Sequence, residues 1–288
     1  MYNNKKPITF VGICGLGVVG NAIYQLLKPI TGHTVCTFDK YKKSASSSSS
    51  ASGSSSSSAS ASWEDLLMTD LLFICLPTPF LATTQAYDTQ EIDEVLRALA
   101  ESQYSGKILL KSTVDPSYCV TQNATYPGLK LWHNPEFLSA QTAVLDFAQQ
   151  RHIILGYTPQ SEHYTSTVAE FYQDLFPLAE LSVVPASVAG VTKLACNAFY
   201  AVKIQYFTEI YALCEKLECP YTDVVQLMLK NGWISPHHTQ VPGPDQQISY
   251  GGACFPKDVA ALNGFLQKLA LPHGVLTAAQ EEQRAMRG

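Results

Sequence analysis

The groups of this chain that could do covalent chemistry are one cysteine in a glycine-rich setting, a lysine and an asparagine four residues apart, and two carboxylates near apolar residues. Cys254 stands in Tyr250-Gly251-Gly252-Ala253-Cys254-Phe255-Pro256-Lys257-Asp258. The glycines let a ligand approach the backbone, and the Lys257 ammonium can lower the thiol pKa, which would make a nucleophile. A buried structural cysteine explains the residue about equally well. If the segment is helical, Asp258 shares the face of Cys254. Lys193 and Asn197 would project side by side from an apolar helix, as a functional pair or as part of a solvated face. Glu136, in Asn134-Pro135-Glu136-Phe137-Leu138, sits between a proline and two large apolar residues. That setting favours a raised carboxyl pKa and a general base, although a plain surface loop accounts for it nearly as well.

These groups need a scaffold and a partner reagent, and the amino-terminal segment supplies both. Residues 8–14 (ITFVGIC) form a continuous apolar run, followed by Gly15-Leu16-Gly17-Val18-Val19-Gly20 and a helical pattern from Asn21 to Leu27. In such a turn the first glycine permits the bend, the second lets the backbone approach a pyrophosphate, and the third allows close helix packing. Asp39 closes the next strand, nineteen residues after Gly20. A carboxylate there accepts from ribose hydroxyls and repels a 2′-phosphate, favouring NAD over NADP. Strands are expected at 33–38, 71–76 and 107–110, ending at Asp39, Pro77-Thr78-Pro79 and Lys111-Ser112-Thr113. Polar residues at such ends suit a doubly wound parallel sheet of Rossmann type, an α/β fold.

The expected organisation is an NAD-binding domain over residues 1–185 and a helical domain over 186–288 that opens with one long helix, Ala186 to Leu217. Shorter helices follow, the first from Tyr221 to Lys230. Residues 44–62 are only Ser, Ala and Gly and read as a flexible loop, because such a tract cannot bury enough apolar surface to order itself.

A composition of 46% hydrophobic and 15% charged residues allows a substantial core, and a net charge of −5 argues against nucleic acid as a partner. Without an apolar run of membrane length or a leader-like amino terminus, a cytoplasmic location and no membrane contact are expected. Eight irregularly spaced cysteines suit reduced thiols, and no spacing suggests a metal site.

GLGVVG (15–20), FICLPTP (73–79), KSTV (111–114), NPEFL (134–138), KLACNAF (193–199) and GGACFPKD (251–258) occur in order through almost the whole chain, and together they resemble the UDP-glucose and GDP-mannose dehydrogenase family. The resemblance implies oxidation of a nucleotide-sugar primary alcohol to a carboxylate with two NAD molecules. Cys254 would carry a thiohemiacetal and then a thioester, Lys193 would stabilise the oxyanion, and Asn197 and Asp258 would orient the substrate hydroxyl or the water. Glu136 would act as base in hydrolysis, and Thr113 would lie near the nicotinamide and the reacting carbon. Pro77, Thr78 and Lys257 would border the cofactor, and Glu136, Phe137, Leu138, Lys193, Asn197, Tyr250 and Gly251 the substrate. A homodimer through the long helix is expected.

Three departures accompany the resemblance. Family members usually continue through a third domain over the nucleotide, whereas this chain ends near the close of the helical region. The usual Asp-x-Arg appears as Asn231-Gly232-Trp233, and the glycine loop is lengthened over 242–252. Two alternatives therefore stand beside the main reading: a two-electron hydroxyacid-type dehydrogenase that needs no cysteine, and a non-catalytic NAD or sugar-nucleotide binding protein.

Overall fold

The computed structural model describes residues 7–30, 32–40 and 61–287, so most of the Ser tract lies outside the described residues. Its last two residues are held: the Ala61 N–H donates to the Thr37 carbonyl at 2.7 Å, and Ser62 caps a helix in a reciprocal box with Asp65.

Seven strands form one sheet: β1 (Phe10–Cys14), β2 (Thr34–Phe38), β3 (Leu71–Ile74), β6 (Lys107–Leu110), β7 (Lys130–His133), β8 (His152–Tyr157) and β9 (Glu180–Pro185). A separate hairpin pairs β4 (Phe80–Leu81) with β5 (Ala86–Tyr87). The sheet order is β2-β1-β3-β6-β7-β8-β9, parallel throughout except where β8 runs antiparallel to β7. The strand order reverses direction at β1, so the crevice beyond the carboxyl ends of β1 and β3 is where such a sheet takes a ligand.

Side-chain alternation along the strands builds both layers. Val11, Ile13, Phe73, Leu109 and Trp132 pack with Ile23 and Leu27 of α1 (Val18–Leu27) and with Phe171 and Tyr172 of the helix Thr165–Leu175. Their sequence neighbours Cys14, Leu72, Ile74, Ile108, Leu110 and Leu131 face the other way, against α2 (Trp63–Leu67), α3 (Gln90–Glu101) and α4 (Tyr118–Thr125). A fully buried residue of this kind contributes about 1.5–3 kcal/mol. The expected Rossmann-type sheet is thus present, with three strands beyond the four anticipated. The antiparallel β8 follows the loop that carries Asn134 to Leu138, then α5 (Ala143–Ala148); α6 is the helix Thr165–Leu175.

The long helix α7 spans Ala186–Lys216, about 46 Å at the usual rise, and α8 (Tyr221–Leu229), α9 (Phe255–Lys268) and α10 (Gly274–Arg287) follow. Two compact units result: Met1–Thr78 with Thr89–Val191, and Pro79–Asp88 with Thr192–Gly288. The division falls inside α7, and the hairpin groups with the helices because it packs on α9, where Tyr87, Leu194 and Ala261 share a cluster with Phe80 and Leu262.

Candidate active site

At the β1–α1 turn each glycine has a separate cause. Gly15 adopts φ +91°, and a Cβ there would lie 2.6 Å from the Cys75 carbonyl oxygen. A Cβ on Gly20 would fall 1.9 Å from the Gly15 carbonyl oxygen, so close approach of α1 to the loop demands glycine. Gly17 caps α1 and has no heavy atom within 4 Å of its virtual Cβ, which leaves open the approach to the helix amino terminus, where an anion is favoured. The Asp39 carboxylate accepts from the Leu16 N–H at 2.8 Å, so the acidic residue at the end of β2 also braces the turn.

A cavity of about 500 Å³ opens here, lined by Gly15, Leu16, Gly17, Val18, Val19, Asp39 and Pro77 among the residues anticipated. Glu91, Glu94 and Val95 of α3 also line it, with Lys40 after β2, and were not anticipated from sequence, since nothing local marks a helix face as a cofactor wall. The Asp39, Glu91 and Glu94 carboxylates share this lining with Lys40, whose ammonium lies 3.9 Å from Glu94 Oε2. Backbone clearance at Gly17, the helix amino terminus and this lining fit a dinucleotide. Thr78 and Thr113 stand apart from the lining and tie two strand ends together, the Thr78 hydroxyl donating to the Thr113 carbonyl at 2.7 Å.

On the same unit, Asn134 is fully buried and anchors the loop after β7. Its amide donates to the Ile154 carbonyl at 2.7 Å, and its Oδ1 accepts from Lys111 Nζ at 3.1 Å and from the Tyr172 hydroxyl. Beyond this anchor Glu136 is half-buried, and its Oε2 accepts from the Leu138 N–H at 2.7 Å; Phe137 is exposed.

The helical unit holds a denser constellation. Asp258 is completely buried one turn into α9. Its Oδ1 accepts from the Tyr87 hydroxyl and from Lys257 Nζ, each at 2.6 Å, and its Oδ2 accepts from Asn197 Nδ2 at 2.6 Å. Lys257 Nζ also lies 5.0 Å from the centre of the Tyr87 ring. Lys193, one turn before Asn197 on α7, is 4% exposed. Cys254 is exposed at the N-cap of α9, at the partly positive end of that helix.

The other seven cysteines are buried or half-buried. Burial pushes the Cys14 thiol up to about 12 and Cys36 up to about 11, and drives Cys75 and Cys119 higher still, so these four remain protonated near neutrality.

The loop leading to Cys254 is clamped. The Arg287 guanidinium donates to the Ile248 carbonyl at 2.8 Å, the Ser249 carbonyl at 2.6 Å and the Asp245 carboxylate at 2.6 Å. That guanidinium holds the Asp245 carboxyl below its ordinary value. A Cβ on Gly251 would meet Arg287 Nη1 at 2.1 Å, and Tyr250 beside it is buried. His238 stacks on Tyr200, ring centres 4.6 Å apart, with Phe255 edge-on to both. Thr113 and Glu136 therefore belong to the sheet unit, and Lys193, Asn197, Cys254, Lys257 and Asp258 to the helical unit. Tyr87 is the member that sequence reasoning missed.

A doubly wound sheet with a glycine turn at its switch point, continued by a long helix into a second unit that bears an exposed cysteine, defines a dinucleotide-binding α/β protein of two-unit dehydrogenase plan. Residues 46–176 match the NAD binding domain of the UDP-glucose/GDP-mannose dehydrogenase family and residues 187–284 match its central domain. The chain belongs to the UDP-glucose/GDP-mannose dehydrogenase family and carries that family's NAD-binding domain. Its glycine turn lies before the matched range and supports the cofactor independently. Among relatives, the UDP-glucose 6-dehydrogenase of Rickettsia bellii is 28% identical over 223 residues, which are 75% of this chain and 49% of the relative. UDP-glucose 6-dehydrogenase 5 of Oryza sativa subsp. japonica is 26% identical over 206 residues, 67% of this chain and 42% of the relative. The chain thus spans about half the length of these curated relatives.

Among solved structures, a UDP-glucose dehydrogenase from Pyrobaculum islandicum superposes with TM-score 0.78 at 22% identity, covering 99% of this chain and 70% of that one. The 3-hydroxyisobutyrate dehydrogenase of Mycobacterium tuberculosis superposes with TM-score 0.68 at 17% identity, covering 95% and 92%. Both likenesses are of fold. Among the described residues, no helix is long and apolar enough to cross a membrane.

Proposed function

We propose that this chain is an NAD-dependent nucleotide-sugar 6-dehydrogenase, oxidising the C6 alcohol of UDP-glucose or a related NDP-hexose to the uronic acid. The observation that carries the reading is the conjunction, in one unit, of the exposed Cys254 at a helix amino terminus with buried Lys193, Asn197 and Asp258. Gly15 to Gly20, Asp39 and the α3 carboxylates would hold NAD, which takes up a hydride in each of two oxidations.

Asn197, braced by Asp258, would orient the sugar hydroxyl, and the alcohol proton would pass to solvent as the first hydride leaves. Cys254 Sγ would then attack the aldehyde carbon, its thiol proton ending on the new hydroxyl, to give a thiohemiacetal. The buried Lys193 ammonium would stabilise the oxyanion. Loss of the second hydride and the hydroxyl proton would leave a thioester. Glu136 would take a proton from water, whose oxygen attacks the thioester carbon and returns the Cys254 thiol with the acid product.

The partner expected is a second copy of the chain, docking on the α7 face that exposes Val188, Val191, Phe199, Tyr206 and Leu213. A monomer by light scattering at micromolar concentration would remove this part of the reading.

A second reading is a two-electron alcohol oxidation without a covalent step, favoured by the near-complete coverage of the 3-hydroxyisobutyrate dehydrogenase fold. The two are separated by NADH formed per sugar consumed, with UDP-glucose, GDP-mannose and UDP-N-acetylglucosamine as separate substrates. Two NADH per sugar, lost in Cys254→Ser, is the expected result. One NADH per sugar, or full turnover to acid by Cys254→Ser, overturns the thioester route.

A further inference from the structure

We infer that Tyr87 is a positioning residue of this reaction, acting through Asp258 to fix the side-chain amide of Asn197 with its oxygen turned toward substrate; the inference rests on the function proposed above. Tyr87 belongs to the hairpin β4–β5, 171 residues before Asp258, and its hydroxyl reaches Asp258 Oδ1 at 2.6 Å inside the helical unit. Its ring is buried against Leu194 and Ala261, so the phenol arrives in one orientation.

The carboxylate it meets is completely buried. Oδ1 takes the phenol and the Lys257 ammonium, leaving Oδ2 for Asn197 Nδ2 at 2.6 Å. An asparagine beside an anionic oxygen must present its NH2 group, because the flipped amide would set two acceptors against each other. Asn197 Oδ1 therefore points away from Asp258, as the acceptor left for a sugar hydroxyl or a hydrolytic water. Asp258 thereby acts through Asn197.

Lys257 alone cannot hold this arrangement, since its side chain is 25% exposed and can turn to water. The phenol is the buried, neutral and rigid donor. It also places Lys257, whose charge is engaged by Asp258 and by the ring of Tyr87.

Tyr87→Phe in the full chain keeps the ring and removes only the hydroxyl. With NAD saturating and the sugar nucleotide that the wild type oxidises, kcat should fall about tenfold or more, the scale of one lost hydrogen bond to a charged group. The KM for NAD should stay within about twofold, because the cofactor cavity belongs to the other unit. In nitrogen-15-labelled protein, the side-chain NH2 resonances of Asn197, assigned through Asn197→Ser, should shift and exchange faster with water. Tyr87→Leu, which also removes the ring under Lys257, should lower kcat at least as far. Wild-type kcat in Tyr87→Phe, or Asn197 resonances unmoved, overturns the inference. If the wild type forms no NADH from any sugar nucleotide, the proposed function fails instead, and the Asn197 resonances still decide whether Tyr87 holds the amide.

Discussion

Removing the Asp258 carboxylate is the sharpest perturbation of the helical unit, and its magnitude follows from the three donors that it satisfies. Asp258→Ala leaves the Tyr87 hydroxyl and the Asn197 amide, 6% exposed in each residue, with donors facing a void. Each stranded neutral donor costs about 1–3 kcal/mol. Lys257 contributes less, because a side chain 25% exposed can turn to solvent and recover its hydration. The sum is about 3–5 kcal/mol, the range seen when one partner of a buried charged cluster is deleted. At about 2–4 °C per kcal/mol, the thermal midpoint of the unfolding phase that reports this unit should fall by about 6–20 °C. Asp258→Asn should be damaging too, since it removes the charge that Lys257 pairs with and its NH2 group suits Asn197 only if that amide turns over. The assay is thermal unfolding by circular dichroism and by tryptophan fluorescence, alongside NAD binding by calorimetry. NAD affinity should be nearly unchanged, because the residues lining the cofactor cavity lie in the sheet unit. A loss of stability under about 1 kcal/mol in Asp258→Ala would refute the claim that the carboxylate is the organising centre of this cluster.

Three further outcomes are expected. Gly20→Ala sets a Cβ against the Gly15 carbonyl, and an overpacking strain of about 1–3 kcal/mol should weaken NAD binding by about 5- to 150-fold, measured by calorimetry. Arg287→Ala releases the Ile248 and Ser249 carbonyls and Asp245, so hydrogen exchange over 248–252 should speed up by at least an order of magnitude while exchange in the sheet stays constant. Burial, with Lys203 and His237 near it, holds the His238 imidazole below its ordinary 6.5, beside Tyr200 and Phe255. The unfolded chain thus takes up the proton first. The stability of the neutral stack is complete above about pH 6.5 and is lost as pH falls from there through the folded-state value, so the thermal midpoint should drop over this window and drop less in His238→Phe.

The features that could be read without coordinates are those whose causes are local. Gly15 to Gly20 follow an apolar run and open a helix, and the steric demand on each glycine comes from within a few residues or from the adjoining strand, so the motif carries its own explanation. The 31-residue α7 shows itself by a long stretch without proline, the strands near 8–14, 71–76 and 107–110 by apolar runs, and the strand near 33–38 by its place between the first helix and Asp39. Strands β7 to β9 escaped because KLWH, HIILGY and ELSVVP mix polar and apolar residues, and only pairing across the sheet decides their direction. Charge is the subtler case. Lys257, three residues after Cys254, suggests a cation for the thiol, yet its ammonium is engaged by Asp258 at 2.6 Å.

The chain order by itself determined the cofactor turn, the succession of sheet and long helix, and which residues have the chemistry to act, because backbone sterics, periodicity and side-chain type are properties of short segments. Only the tertiary structure decided what those groups are bonded to. Tyr87 lies on a two-residue strand with no signature, and its importance arises from a hydrogen bond spanning 171 residues. Arg287, at the end of the last helix, gains its role from carbonyls of a loop 38 and 39 residues earlier. Such pairings are set by how helices and hairpin pack, and a buried carboxylate takes whichever donors that packing brings within reach.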